Sequence, residues 1–211
     1  MRFVYVMDPM CAWCYGFEPE LETFLTQYSQ AHVEWIMGGL APDSNVQMPD
    51  DLQQTISNYW HQIEASTSVA FNHDYWQVNT PYRSTYPACR AVIAAKSIAS
   101  ENTPKMVKAI QSAYYQQAMN PSLAQTLIDC AKAIGLEESV FIKAFESEKT
   151  GQEFQQHLNL CRQLQVSGFP ALFYISEENQ AFPIALGYSD TENLNQNLKQ
   201  VKTAIAQNNL D

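Results

Sequence analysis

Cys11 and Cys14 sit where a short apolar run gives way to an amphipathic helical pattern, and that placement restricts what the chain can fold into. Residues 2–7, centred on Phe3-Val4-Tyr5-Val6-Met7, read as a buried strand: short, aromatic and β-branched, stopped by Asp8-Pro9. From about Cys11 onward, Phe17, Leu21, Phe24, Leu25 and Tyr28 recur at helical spacing and form one apolar face. Cys11-Ala12-Trp13-Cys14 therefore falls at the end of a strand and the start of a helix. Pro19 lies inside that helix and predicts a kink, because its ring removes a hydrogen bond and crowds the preceding turn. Val33-Glu34-Trp35-Ile36-Met37 reads as a second strand, closed by Gly38-Gly39. Strand, helix and strand with short connections imply a parallel pair.

The period then changes. Leu52, Ile56, Tyr59 and Ile63 predict a helix entered at Pro49-Asp50-Asp51, and Val92, Ala95 and Ala99 continue one that begins near Pro87. Thr103-Pro104 reads as an N-cap followed by proline at the first helical position, with Met106, Ile110, Ala113 and Tyr114 as the stripe behind it. Leu123, Leu127, Cys130 and Ile134 form another stripe, stopped by Gly135, and Val140, Phe141 and Phe145 a shorter one. Phe154, Leu158, Cys161 and Leu164 lead into Val166-Ser167-Gly168-Phe169-Pro170. Residues 171–175 and 182–186, separated by a turn at Glu177-Glu178-Asn179, read as a β-hairpin. Ser189-Asp190-Thr191-Glu192 announces a last helix in the capping-box pattern, striped by Leu194, Leu198, Val201 and Ile205.

The order is strand, helix, strand, a long helical block, helix, two strands, helix. Without the block this is the order of a thioredoxin fold. The expected class is α/β: a thioredoxin-like domain from 1–48 and 150–211, interrupted by a large all-helical domain over 49–149. A chain of 211 residues suits one domain with an insertion.

The net charge of −10 argues against a nucleic-acid partner, which needs clustered Lys and Arg. No apolar run approaches the ~20 residues of a membrane-spanning helix, so no membrane partner is expected. The first residues lack the basic and apolar regions of a secretory signal, which predicts a cytoplasmic protein or one whose leader is missing from this sequence. An odd number of cysteines, five, fits a reducing compartment better than a fully paired framework.

A thiolate, not a thiol, attacks a disulfide. A thiol at a helix N-terminus titrates at roughly 3.5–7.5 instead of about 8.5, because free backbone N–H groups and the helix dipole favour the anion. Cys11 is accordingly the expected nucleophile, exposed at the helix start. Cys14, one turn in and more buried, is the resolving thiol. A zinc site is the rival reading of Cys-x-x-Cys, but it needs a second cysteine or histidine pair at defined spacing. Cys89, Cys130 and Cys161 are isolated, and His32, His61, His73 and His157 are scattered, so no metal is expected.

Four segments together resemble the DsbA family of the thioredoxin superfamily, in particular its cytoplasmic DsbA-like branch. They are Asp8-Pro9-Met10-Cys11-Ala12-Trp13-Cys14-Tyr15-Gly16-Phe17, Pro19, Met37-Gly38-Gly39-Leu40 and Val166-Ser167-Gly168-Phe169-Pro170-Ala171-Leu172-Phe173. The resemblance implies a cis bond between Phe169 and Pro170, with that loop lying against the cysteine pair and the Phe169 backbone pairing with an extended substrate. It implies disulfide exchange with a protein or a low-molecular-weight thiol or disulfide, without a prosthetic group. Ala12 and Trp13 depart from the Pro-His of strongly oxidising periplasmic members, so a less oxidising pair is expected. Trp13 belongs either to an apolar docking surface or to the cover of the helix end. Kappa-type glutathione transferases and related isomerases share the architecture but carry serine where Cys11 stands. The cysteine pair therefore favours redox chemistry over that alternative, and glutathione stays open as a co-substrate.

Other residues read as structural: Cys89, Cys130 and Cys161 as small apolar fillers, and Tyr59, Trp60, Tyr75, Trp76, Tyr82 and Tyr86 mostly as packing of the insertion. Glu18 and Glu20 read as solvated surface, and Arg83 and Arg90 as candidates for holding a substrate carboxylate.

Overall fold

The computed structural model describes residues 1–208. Strands β1 (Arg2–Met7), β2 (His32–Met37), β3 (Ala171–Ile175) and β4 (Ala181–Leu186) form one mixed sheet in the order β2-β1-β3-β4. β1 runs parallel to β2, with Phe3 opposite Val33 and Met7 opposite Met37. It runs antiparallel to β3, with Val4 opposite Phe173. A strand flanked on both edges and covered on both faces reads as a continuous apolar run, which is why β1 is legible in the sequence. Pro183, which has no N–H to give, lies in the edge strand β4.

Alternate side chains of β1 serve two layers. Phe3, Tyr5 and Met7 face helices α1 (Ala12–Thr26) and α9 (Thr191–Asn208). There Phe3 meets Phe24 edge-on at 5.4 Å and Tyr5 lies 5.9 Å from Phe17. Val6 faces the other way, packing with Ile36, Ala171, Phe173 and Cys161 of helix α8 (Glu148–Gln163). Each such fully buried side chain contributes about 1.5–3 kcal/mol.

Between β2 and α8 run α2 (Asp50–Ser66), α3 (Tyr75–Val78), α4 (Tyr86–Ile98), α5 (Asn102–Gln111), α6 (Ala124–Ala133) and α7 (Glu138–Phe145). α4 is the hub, packed by α5, α6, α7 and α8. It is rich in alanine, and Ala88, Ala91, Ala94 and Ala95 are completely buried, so neighbours approach it closely. The block joins the sheet layer directly behind Cys14. Tyr15 stacks on Tyr115 at 4.6 Å, and its hydroxyl accepts from Gln116 at 3.0 Å. A Cβ on Gly16 would come within 2.9 Å of Ile63, so the absence of a side chain sets how closely α1 and α2 cross.

Several details differ from the sequence reading. α5 begins one residue ahead of Thr103, with Glu101 at the cap position, so Pro104 falls third in the helix. Proline is tolerated there because first-turn N–H groups have no intrahelical acceptor. A π-helical turn, Ser112–Gln116, follows α5. Its wider winding buries Tyr114 and Tyr115 side by side, where the period predicted Tyr114 alone. The cap of α9 is Asp190, not Ser189: its Oδ1 accepts from Asn193 N–H at 2.8 Å, and Glu192 turns to Gln196 instead. Glu20 is no mere surface group, since its carboxylate accepts from the N–H and hydroxyl of Thr191 at 2.8 and 2.6 Å and pins the start of α9. Glu18 is half-buried and pairs with Lys108 at 3.2 Å. The short helix α3 has no periodicity to announce it.

His157 of α8 is buried and its Nδ1 accepts from Met37 N–H at 3.1 Å, tying α8 to the end of β2. Burial, with the nearby charge of Lys96, brings its pKa down to about 4 from 6.5. The folded state therefore refuses a proton that the unfolded chain takes up below 6.5. The resulting stability is fully present above pH 6.5 and is lost as pH falls toward 4, up to about 3 kcal/mol. Urea unfolding at pH 7 and pH 4.5 should show this loss, and His157→Gln should remove most of that difference.

Candidate active site

The cysteine pair is placed by backbone geometry. Cys11 is the N-cap of α1 with extended backbone, and its Sγ accepts from Cys14 N–H at 3.4 Å. Cys11 N–H in turn donates to the Asp8 carbonyl at 3.0 Å, which closes the turn from β1. The Cys14 thiol lies against that of Cys11 and faces the Tyr5 hydroxyl. Complete burial pushes the Cys14 thiol well up from its ordinary value, and the neighbouring Cys11 sulfur adds to the shift.

Cys11 was expected to be exposed, yet only 7% of it is. The reason lies in two segments far away in sequence. Phe169 brings its carbonyl to 3.6 Å from Cys11 Sγ, and α2 lies across the opening. The Phe169–Pro170 bond is cis. The Phe169 ring rests on the end of β2, where a Cβ on Gly38 would come within 2.1 Å of it, so only glycine admits the ring there.

Cys11 forms part of the floor of a cleft of about 370 Å³. Ala12, Trp13, Leu40 and Phe169 line one side, and α2 contributes Leu52, Ile56, Tyr59 and Trp60 to the other. Tyr82, Arg83 and Tyr114 complete the wall, and Arg83 is its one charged residue among the described residues. Trp13 lines the cleft, and its indole leans on Tyr188 at 5.9 Å over the helix end. Cys14 lies behind Cys11. Pro170 is buried outside the lining, its carbonyl accepting from Gly187 N–H at 2.7 Å. Arg90 is turned away, bound by both nitrogens to Asp43 at 2.7 and 2.8 Å. Tyr75 and Trp76 pack around Trp60, and Tyr86 packs on Phe154.

Beneath this floor lies a group the sequence reading used only as a strand stop. Asp8 is completely buried. Its Oδ1 accepts from Met10 N–H at 2.8 Å; its Oδ2 accepts from Leu40 N–H at 2.7 Å, Thr85 Oγ1 at 2.6 Å and Cys89 Sγ at 3.4 Å. The Met10 and Leu40 N–H groups donate, and the Thr85 hydroxyl and Cys89 thiol stand in position to do the same, a set that suits an ionised carboxylate. Burial raises its pKa, while the bonds from Leu40, Thr85 and Met10 work against that rise. Asp8 thus joins the cysteine turn, the end of β2 and the start of α4. The available signal was a lone acid between a buried strand and a cysteine pair. Cys89, read as a filler, is a donor to this group. Cys130 and Cys161 behave as fillers, with burial moving their thiols up to about 12 and about 11.

A family model described as Thioredoxin matches residues 3–196. The chain belongs to the thioredoxin family. Its fold is similar to that of a candidate protein disulfide isomerase from Nitrosomonas europaea, with a TM-score of 0.87, 29% identity and coverage of 96% of this chain and 98% of the other. It is also similar to the cytosolic disulfide reductase DsbM from Pseudomonas aeruginosa, with a TM-score of 0.76, 22% identity and full coverage of both chains. Another structure of that reductase holds GSH. DsbA oxidoreductases from Streptomyces coelicolor and Xylella fastidiosa share the fold as well, with TM-scores of 0.71 and 0.62. The ClpXP adapter protein SpxH of Halalkalibacterium halodurans is 19% identical over 176 residues, or 81% of this chain. The chain spans 57% of the length of that relative.

Replacing Asp8 by asparagine exchanges one acceptor oxygen for a donor and leaves at least one buried N–H or hydroxyl unpaired. Asp8→Asn should lower the unfolding free energy by about 1–3 kcal/mol, read from urea denaturation at neutral pH.

Proposed function

We propose that this protein exchanges disulfides with a protein or small-molecule partner through Cys11 and Cys14. The observation that carries the reading is Cys11 Sγ at the N-cap of α1, bonded by Cys14 N–H, on the floor of an apolar cleft beside the Phe169 carbonyl. A helix N-terminus favours negative charge at that position.

In the reductive direction the Cys11 thiolate attacks one sulfur of a substrate disulfide. A Cys11–substrate disulfide forms and the other substrate sulfur leaves as thiolate, taking up a proton. The Cys14 thiolate then attacks Cys11 Sγ, which closes the Cys11–Cys14 bond and frees the second substrate thiolate. Two electrons pass from the pair to the substrate, and the oxidative direction is the reverse. The raised Cys14 pKa orders these steps. Part of it comes from Cys11, and that part is relieved once Cys11 is engaged in the mixed disulfide.

The cleft indicates the substrate class. Aromatic and aliphatic walls with a single cation at Arg83 suit a small thiol or disulfide that carries a carboxylate, or an extended peptide segment. Glutathione has that chemistry, and the similar reductase DsbM holds it. Ala12 and Trp13 place no cation between the cysteines. Together with the likeness to a cytosolic reductase, this supports cytoplasmic work on the reducing side of the periplasmic relatives.

Cys11→Ser should abolish reduction of insulin and of glutathione disulfide, whereas Cys14→Ser should accumulate a mixed disulfide visible by mass spectrometry. Retained turnover in the Cys14 variant would instead favour a glutathione-dependent transferase or isomerase. Arg83→Gln should raise KM for glutathione disulfide by about tenfold and leave kcat unchanged, because Arg83 would hold the substrate away from the reacting sulfurs.

A further inference from the structure

Outside the cleft, three potential metal ligands converge on the far side of α2. His61 and Glu64 lie one turn apart on that helix, and His73 arrives from the segment before α3. His61 Nδ1 lies 3.5 Å and His73 Nε2 3.0 Å from the same oxygen, Glu64 Oε2. The three ligand atoms all fall within 4.8 Å of one another. Tetrahedral zinc with bonds of about 2.0–2.2 Å sets its ligand atoms roughly 3.3 Å apart, so these separations bracket the required spacing. The other oxygen of Glu64 is already fixed, accepting from Phe71 N–H at 2.7 Å.

We propose that His61, Glu64 and His73 form a binding site for a divalent transition-metal ion, zinc foremost, that clips the segment after α2 onto that helix. In the metal-free arrangement the two imidazoles stack at 4.0 Å with their planes 9° apart. An ion must lie in the plane of each ring, so binding turns the rings edge-on. The His61 side chain, 62% exposed, is free to make most of that turn. The Nδ1 of His73 is buried without a partner. A bound histidine usually donates that N–H to an acceptor, and the lack of one weakens a site about 10–100-fold. To bind the ion, both rings must be neutral and present lone pairs to it.

The clip has a structural target. Phe71, held by Glu64, stacks on Trp60 at 4.9 Å and meets Tyr15 edge-on at 5.3 Å. Trp60 lines the cleft and Tyr15 follows Cys14 directly. The ion therefore braces the wall of the cleft without touching the reacting sulfurs.

Untagged protein carrying Cys11→Ser and Cys14→Ser, which removes the competing cysteine pair, should bind one equivalent of zinc by calorimetry. Cobalt should give tetrahedral visible bands with no sulfur-to-metal charge transfer. Further substitution His61→Ala or His73→Ala should weaken zinc binding at least tenfold, and zinc should raise the thermal midpoint only when both histidines are present. His61 is exposed, so its alanine variant folds and keeps the test decisive. No binding at millimolar zinc, sulfur charge transfer in the cobalt spectrum, or binding indifferent to His61→Ala would each overturn the proposal.

Discussion

A single buried carboxylate organises the region around the cysteine pair. Removing an ion from water costs several kcal/mol even after the protein relaxes, so a group such as Asp8 persists only where donors surround it. Its four partners come from the turn ahead of Cys11, from the residue after Gly38-Gly39, and from the cap and first turn of α4. Those segments must meet for the charge to be solvated. The same contact that stabilises Asp8 therefore positions Cys11 against β2 and brings the helical block up to the sheet layer.

The block does more than fill space. α2 and the π-helical turn supply the aromatic wall opposite Cys11, and the Tyr15–Tyr115 stack fixes that wall relative to the cysteine helix. The Cys11 sulfur ends up at the bottom of a small apolar cleft, where the isolated turn implies an exposed thiol. Electrostatic effects act more strongly in such a setting than in water. Burial and the neighbouring Cys11 sulfur both push the Cys14 thiol well above its ordinary pKa.

Much of the sheet and most helices were legible because their signals are local. Buried strands show as short apolar runs, and helices show as stripes with glycine or proline at their ends. α3 and the π-helical turn left no such mark, since a four-residue helix has no period and a one-residue widening hides within a helical stripe. The cap of α9 was misread by one position because Ser189 and Asp190 are both good caps. Only the packing of Thr191 against Glu20 decides which of them starts the helix.

By itself, the sequence determined the local landmarks of the fold: two cysteines at a strand-to-helix junction, a proline loop ahead of a late strand, and a helical block between the halves. Those features rest on residue type and spacing along one stretch of chain. Tertiary structure alone decided that Asp8 is a buried hub, that Arg83 and not Arg90 reaches the cleft, and that His61 and His73 share one carboxylate oxygen. Each of these depends on groups separated by many residues being brought within a few ångströms. Burial and hydrogen-bond partners, which set the charge and reach of such groups, exist only once the chain is folded.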